Sequence, residues 1–437
     1  MNSASTRQCD VTVIGGGLGG KAAAIHLAKA GFRVICIEPA ASVGQSVGES
    51  LDWSAPDLLC ALGLPMEQLV QSEVATWKRH VTVKMRDGCT AHYVPSEWLA
   101  GKPFHIELRT LHVDRLKLDQ ELLNLTKAQG VELVHDKVVG VEKDGKRVLA
   151  VVTAGGQRYS SKWFVDASGF GSSIFGREFQ LPAAYSGPPK VALWKYFPVA
   201  DLVEGTTIYA DPSASDYLEW VWEIPIHTRV VSVGYVLTGV GMKALRAEGL
   251  TVEQIFQRQL MKFPRFERLL QIESDEKLNV TSFRCRTHMK SAGPNWTMVG
   301  EAASMVDPIT SNGVTAALRH AAETAAMIQR FSSRGAFPWR ARVLYSARIF
   351  LLAKFFNGGI EKIVYQPPVR NRIGLARSGM VYTGPAWSVN VVYARLKPKG
   401  LLSTTALGLL LGAFRGSAWV FYQFCKMSPQ NCLTEVH

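Results

Sequence analysis

Hydrophobic positions change their rhythm along this chain, and each rhythm predicts a different element. Residues 11–14 form a short apolar run, the pattern of a strand buried on both faces. Residues 21–30 are alanine-rich and helical, and Gly31 is placed to end that helix. Residues 32–37 are apolar again and stop at Glu38, which makes a second strand. Further helices are expected over 54–62, closed by Gly63, and from 113 to about 129. Between them, 81–85 and 89–94 read as paired strands around Asp87 and Gly88. A strand starts at 130–133, and 138–141, 147–153 and 157–164 form a meander with glycine-bearing turns. From about 180 to 290 apolar and polar residues alternate, as a half-exposed antiparallel sheet would. Strand, turn and helix then return at 296–299, 300–303 and 313–330. From 337 onward the chain is helical, aromatic and basic, with a break at Gln366, Pro367 and Pro368.

The first of these units carries chemistry. Gly15, Gly17 and Gly20 stand at the G-x-G-x-x-G spacing between strand and helix, with Leu18 and Gly19 among them. The first glycine allows the tight turn, the second lets backbone approach a pyrophosphate, and the third lets helix and strand pack closely. Glu38 ends the second strand, where a carboxylate can accept both hydroxyls of an adenosine ribose. Strand, helix, second strand and terminal acid are all in register, so the pattern is that of a dinucleotide site. The expected class is therefore α/β. A Rossmann-like nucleotide domain is made discontinuously from residues 1–180 and 281–330. A β-sheet over 181–280 walls the substrate site, and 331–437 form a basic helical cap.

Composition narrows this further. A chain of 437 residues, 47% hydrophobic and 19% charged, is a folded globular protein with two or three subdomains. No run of 18 or more uninterrupted apolar residues occurs, so no transmembrane helix is expected. Residues 1–10 hold no apolar signal core. The seven cysteines form no C-x-x-C pair, which argues against a metal site or a disulfide framework and fits a reduced, cytoplasmic compartment. The net charge of +13 is unevenly placed: residues 1–318 hold 33 basic and 33 acidic side chains, residues 319–437 hold 16 and 3. From 319 to 400 the cations include Arg330, Arg340, Arg342, Arg370, Arg372, Arg377 and Lys397, interleaved with aromatic and aliphatic residues, and 406–414 is a short apolar run. Such a surface is a solvated face, or a dock for an acidic carrier protein, an acidic protein substrate or an anionic membrane. No nucleic-acid module accompanies the charge.

Further motifs follow in order. They are Gly48-Glu49-Ser50, Arg115 at a helix opening, Asp166-Ala167-Ser168-Gly169-Phe170, Gly300-Glu301-Ala302-Ala303 and the run Asp307, Pro308, Ile309, Thr310, Ser311, Asn312, Gly313 and Val314. Between the last two groups and the earlier ones stands Trp220-Val221-Trp222-Glu223-Ile224-Pro225. Over residues 10 to 330 this series resembles the flavin-dependent halogenases of the FAD monooxygenase superfamily, whose fold is that of para-hydroxybenzoate hydroxylase. The W-x-W-x-I-P pattern matches letter for letter. The resemblance implies FAD as cofactor. It places the fingerprint glycines, Glu38, Ser50, Arg115, Asp166, Gly300, Glu301 and residues 307–314 around FAD. It puts Trp220 and Trp222 near the flavin face, where they disfavour hydroxylation. Glu301 stands where the family usually has aspartate.

The resemblance also registers Lys78, through Leu62-Gly63-Leu64-Pro65, onto the lysine that carries or orients hypohalous acid in halogenases. An ammonium suits that task, because it can hydrogen-bond HOCl or form a chloramine, with its pKa tuned by desolvation. Backbone N–H groups at Ser311 to Gly313 are a candidate halide cradle. Tryptophan halogenases carry glutamate where this chain has Thr310, so a phenol, a pyrrole or a tethered aromatic is a better substrate expectation than free tryptophan. Hydroxylation of an aromatic, including a peptidyl tryptophan, is the alternative, and a prenyl or polyene reductase a further one. No second nicotinamide fingerprint occurs, so either a flavin reductase or transiently bound NAD(P)H supplies electrons.

Overall fold

The computed structural model describes residues 6–39, 47–86, 88, 90–94, 109–169, 171, 173–199, 205–210, 217–272, 276–366, 409, 413, 416, 420 and 423. Asp87, Cys89, Phe170, Pro367, Pro368, Arg370, Arg372, Arg377, Lys397 and most of 406–414 lie outside the described residues.

The first sheet is built on the apolar strand Thr6–Ile14, which pairs in parallel with Val34–Glu38 on one side and Arg158–Asp166 on the other. Val34–Glu38 continues in parallel to Glu132–His135. Arg158–Asp166 also pairs in parallel with Trp296–Met298 and antiparallel with Arg147–Thr153, whose neighbour is Val138–Asp144. The strand Trp296–Met298, more than 100 residues further along the chain, thus closes the nucleotide sheet, which makes this unit discontinuous. Helix Leu18–Lys29 covers it through Ala22, Ala23, Ala24, Ile25 and Leu27, small enough for helix Gly313–Phe331 to pack close behind. Asp114 caps helix Arg115–Ala128 by accepting from the N–H groups of Leu116 and Lys117. Gly63, at φ 102°, ends helix Ala55–Leu62 in the left-handed conformation.

The second sheet has seven strands in the order Asn279–His288, Ala183–Pro198, Val230–Thr238, Trp220–His227, Thr206–Ala210, Val81–Met85, Thr90–Tyr93. The pair from residues 81–93 forms as expected but joins this sheet, with Val81–Met85 parallel to Thr206–Ala210. Here the expectation of a half-exposed sheet fails. On the strand Trp220–His227, Trp220, Trp222, Ile224 and Ile226 enter one core, while Val221 enters another with Val231, Val233, Tyr235 and Leu237. The reason is a layer absent from the alternation reading. Helices Gly239–Ala247 and Val252–Leu260, followed by Phe263 and Phe266, cover the back face. The second of these helices starts with a capping box between Thr251 and Gln254. The buried Glu223 is paired: it accepts from Arg265 at 2.7 Å and from the Tyr209 hydroxyl at 2.6 Å.

Helix Trp339–Ile360 is long and apolar enough to cross a membrane, and half of its most apolar window is buried inside the protein. Phe355, Phe356 and Ile360, with Val364 and Tyr365 in the turn that follows, pack on the tryptophan face of the second sheet.

Candidate active site

The two sheets meet at a cleft of about 1280 Å³, its open mouth included. Its lining joins most of the expected cofactor residues: Gly17, Leu18, Gly19, Ser50, Arg115, Gly300, Glu301, Pro308, Ser311, Gly313 and Val314. Trp220 and Trp222 form the facing wall with Thr206, Ile208 and Ile224.

The glycines act as the spacing requires. Gly15 has φ 99°, and a Cβ there would lie 2.4 Å from the Ala167 carbonyl oxygen. At Gly20 a Cβ would lie 1.9 Å from the Gly15 oxygen. Those two fit strand to helix. At Gly17 a Cβ would meet nothing within 4 Å, so its openness is kept for something other than the protein. Gly17 is the N-cap of helix Leu18–Lys29, with no side-chain cap and no acid in the first turn. Helix Gly313–Phe331 also lacks a side-chain cap and a first-turn acid, and its first residues line the cleft. Two positive helix ends therefore face the space where an anionic dinucleotide would lie. Arg115 lines it too. Its Nη1 donates to the Val47 carbonyl at 2.8 Å, while its buried Nε has no acceptor among the described residues. Glu38 ends its strand beside Gly16, where a Cβ would strike its carboxylate at 1.8 Å.

The tryptophan wall is held by side chains from far along the chain. Trp220 and Trp222, two residues apart on one strand face, have ring centroids 5.8 Å apart. Gly234 is paired across from Trp222 and leaves room for its ring, which a Cβ would strike at 2.1 Å. Trp222 Nε1 donates to Ser232 Oγ at 3.1 Å, and Ser232 Oγ donates to Glu49 Oε1 at 3.1 Å. The same oxygen accepts from the Tyr196 hydroxyl at 2.8 Å. Burial pushes the Glu49 carboxyl up, against the hydrogen bonds of Tyr196 and Ser232 and the charge of Arg115. Trp220 Nε1 donates to the Tyr365 hydroxyl at 3.0 Å.

Three expected residues face elsewhere. Asp166 is fully buried and accepts from the N–H groups of Ser168 and Phe175, so its carboxylate ties its own loop. Asp307 is buried against Lys190, whose Nζ lies 2.7 Å from Oδ2, and Oδ1 accepts from the Tyr365 hydroxyl at 2.9 Å. Burial opposes the Lys190 charge, but Asp307 outweighs it and holds the ammonium above its ordinary pKa. Asn312 is buried at the N-cap of helix Gly313–Phe331.

Lys78 is not among the residues that line the cleft. It ends the strand Ala75–Lys78, opposite Thr110, and only 2% of it is exposed. Its Nζ donates to the Leu51 carbonyl at 2.9 Å and lies 5.3 Å from the centroid of the Trp53 ring. Burial lowers its pKa to about 7, with Asp52 working the other way. Burial and Lys78 together hold His112 well below its ordinary pKa, so that ring is neutral. From His112 a chain of polar contacts leads to the cleft: Nε2 to Thr206 Oγ1 at 2.9 Å, Thr206 to Ser50 at 2.8 Å, and Ser311 to Ser50 at 3.1 Å. Asp52 is wholly buried, and its Oδ2 has no partner among the described residues. Glu49 was readable in the Gly48-Glu49-Ser50 motif. Nothing in the local sequence marks Asp52, Lys190, Ser232 or Tyr365.

Comparison with known proteins shows the family and the fold. A family profile described as tryptophan halogenase matches residues 105–344, and one described as FAD-dependent oxidoreductase matches 10–177. The chain is 27% identical over 335 residues to the tryptophan 2-halogenase of Chondromyces crocatus, which spans 73% of this chain but 60% of that protein's length. It is 26% identical over 352 residues to a 1H-pyrrole-2-carbonyl peptidyl-carrier-protein chlorinase of Pseudomonas fluorescens, covering 72% of this chain and 75% of that one. A solved triple mutant of the flavin-dependent brominase Bmp2 superposes with a TM-score of 0.71 at 21% identity, over 93% of this chain and 99% of that one, a likeness of fold.

Proposed function

The chain belongs to the tryptophan halogenase family, and we propose that it halogenates an electron-rich aromatic ring, with Lys78 as the residue that receives the hypohalous acid. Its cofactor is FAD. The open space at Gly17, the two uncapped helix ends and the unpaired Arg115 Nε fit an anionic dinucleotide of that kind. When bound and reduced, FAD would supply two electrons to O2, which is the oxidant, so that a halide could be taken to hypohalous acid with water as the other product.

What the chain's own residues add is separation. The backbone at Ser311 to Gly313 offers a halide the positive end of a 19-residue helix. Trp220 and Trp222 close the facing wall and keep the ring away from the inner cleft. Lys78 is buried and is not among the residues that line the cleft, so a small oxidant formed there would have to travel to reach it. With a pKa near 7, Lys78 is divided at neutral pH between an amine and an ammonium. The amine exchanges its proton for the halogen and releases water, while the ammonium donates a hydrogen bond to HOCl. Either way the halogen is aimed by a fixed group. The buried Lys78, with its pKa lowered to about 7, is the observation that carries the reading.

Thr310 is buried and donates to the Asp307 carbonyl at 3.3 Å, so no carboxylate stands there to take a ring proton. A phenol or a pyrrole needs that help least. The carrier-tethered pyrrole in the name of the Pseudomonas relative makes a carrier-bound ring the favoured form. A flavin reductase or transiently bound NAD(P)H supplies the electrons, in the cytoplasm. The test is Lys78→Ala with reduced FAD, O2 and bromide. O2 consumption should continue while brominated product falls at least about a hundredfold. Unchanged bromination sinks the role of Lys78, and a hydroxylated product that survives the substitution shifts the reading to monooxygenation.

A further inference from the structure

A second large cavity lies on the far side of the nucleotide sheet, away from the residues of the cleft. It measures about 1430 Å³ with its open mouth included. Its floor is aromatic: Phe179 and Trp296 stack at 4.9 Å, nearly parallel, and Phe350 joins them. Its edge carries apolar side chains that no packing within the described residues covers. Trp339 is 62% exposed, Met289 52% and Val343 50%. Lys146, Lys290 and Arg342 also line it, and no acidic residue does. The acid nearest in sequence, Glu178, is engaged by Lys143 at 3.8 Å. Arg342 Nε is buried and has no acceptor among the described residues, so a cation with an unmet hydrogen bond borders an apolar trough.

This combination differs from a solvated basic face. Cations on a solvated face stand among polar neighbours; here Lys290 follows Met289, and Arg340 and Arg342 flank the first turn of a helix that opens with Trp339. Apolar side chains project outward, and long cationic ones surround them. An acyl chain has the shape and polarity of the trough, and an anionic headgroup supplies acceptors for Arg342, Lys146 and Lys290. We propose that this face, from Lys146 and Met289 to Trp339, Arg342 and Phe350, docks the protein on an anionic lipid membrane. Trp339 and Met289 enter the headgroup region, and Lys146, Lys290 and Arg342 contact lipid phosphates. The proposal is independent of halogenation and needs none of the cleft residues. It also leaves helix Trp339–Ile360 in the plane of the surface, consistent with its inner face being packed on the protein.

The experiment is flotation of the full-length, FAD-loaded chain with phosphatidylcholine vesicles, with and without phosphatidylglycerol. Binding is expected only with phosphatidylglycerol and should weaken as salt is raised, since exposed charges are screened beyond about 8 Å at physiological ionic strength. Lys290→Glu with Arg342→Glu should weaken it by about tenfold or more, and Met289→Ser with Trp339→Ser by about tenfold. Both double variants should keep the parent flavin spectrum and melting temperature, which excludes misfolding. As a second readout, brominated lipids should quench tryptophan emission in the parent, and Trp339→Phe should remove most of that quenching. No binding to the anionic vesicles overturns the proposal. Binding that both double variants retain overturns this face as the contact. An acidic protein that binds the chain through these residues while vesicles do not would overturn the membrane in favour of a protein partner.

Discussion

The two walls of the cleft are made in different ways. The nucleotide wall is backbone: Gly15, Gly17 and Gly20, and two helix ends whose N–H groups have no side-chain cap. The opposite wall is side chain: Trp220 and Trp222, each held by one hydrogen bond from its indole nitrogen. The first wall depends on atoms being absent, and any added atom spoils it. The second depends on partners being present, and those partners come from elsewhere in the chain. Damage to the first should therefore remove the cofactor and spare the fold, whereas damage to the second should cost stability and aim while FAD stays bound.

The largest effect follows from Gly17→Val. The added side chain enters space that is empty of protein, so the fold should survive, with a melting temperature near that of the parent. FAD affinity should fall by about a hundredfold or more, because the side chain occupies the approach of the pyrophosphate. Titration calorimetry on the apoprotein checks this, and unchanged affinity would refute the cofactor assignment.

Lys78→Met comes next and separates function from stability. The folded-state pKa of Lys78 is lowered to about 7 from 10.5 by burial. Between those two values the unfolded chain binds the extra proton, so native stability rises with pH. Below pH 7 the charge is buried at full cost, and above about 10.5 the cost is gone. Removing the ammonium should thus stabilise the protein by about 1–4 kcal/mol near pH 6. The gain should shrink towards zero as pH rises through that window. Denaturant melts at several pH values report it. A gain that does not vary with pH would mean that Lys78 is not the titrating group.

Tyr365→Phe should act only on the tryptophan wall. It deletes the acceptor of Trp220 Nε1 and a donor to Asp307, and leaves both buried. The cost should be about 1–3 kcal/mol of stability, read by denaturant unfolding, with FAD affinity changed less than about threefold. Loss of FAD in this variant would erase the distinction between the walls.

The same contrast explains what could be read in advance. Gly15, Gly17, Gly20 and Glu38 state a backbone requirement within a few residues of one another, so the nucleotide unit was legible. Trp220 and Trp222 were legible as strand alternation before a proline. Lys190, Asp307 and Tyr365 meet only in the folded chain, from three separated segments, and a buried ion pair leaves no local pattern. The sheet over 180–290 was misjudged as half exposed because its alternation concealed the two helices that cover it. The Thr251 and Gln254 box that starts the second was present in the sequence, inside a window read for period two. Lys78 stands out in the sequence by its register alone, and its burial, at the end of a strand paired with Thr110, belongs to the folded chain.

In the proposed reaction, oxidation passes through halide and Lys78 before it reaches the ring. The most direct measurement is a single turnover. FAD-loaded protein is reduced anaerobically and mixed with a phenol or a carrier-bound pyrrole. Oxygen is then admitted with and without bromide, and the products are identified by mass spectrometry. The expected result is brominated ring only when bromide is present, with free peroxide in its absence. The same hydroxylated ring in both samples, formed at the same rate, would contradict the account.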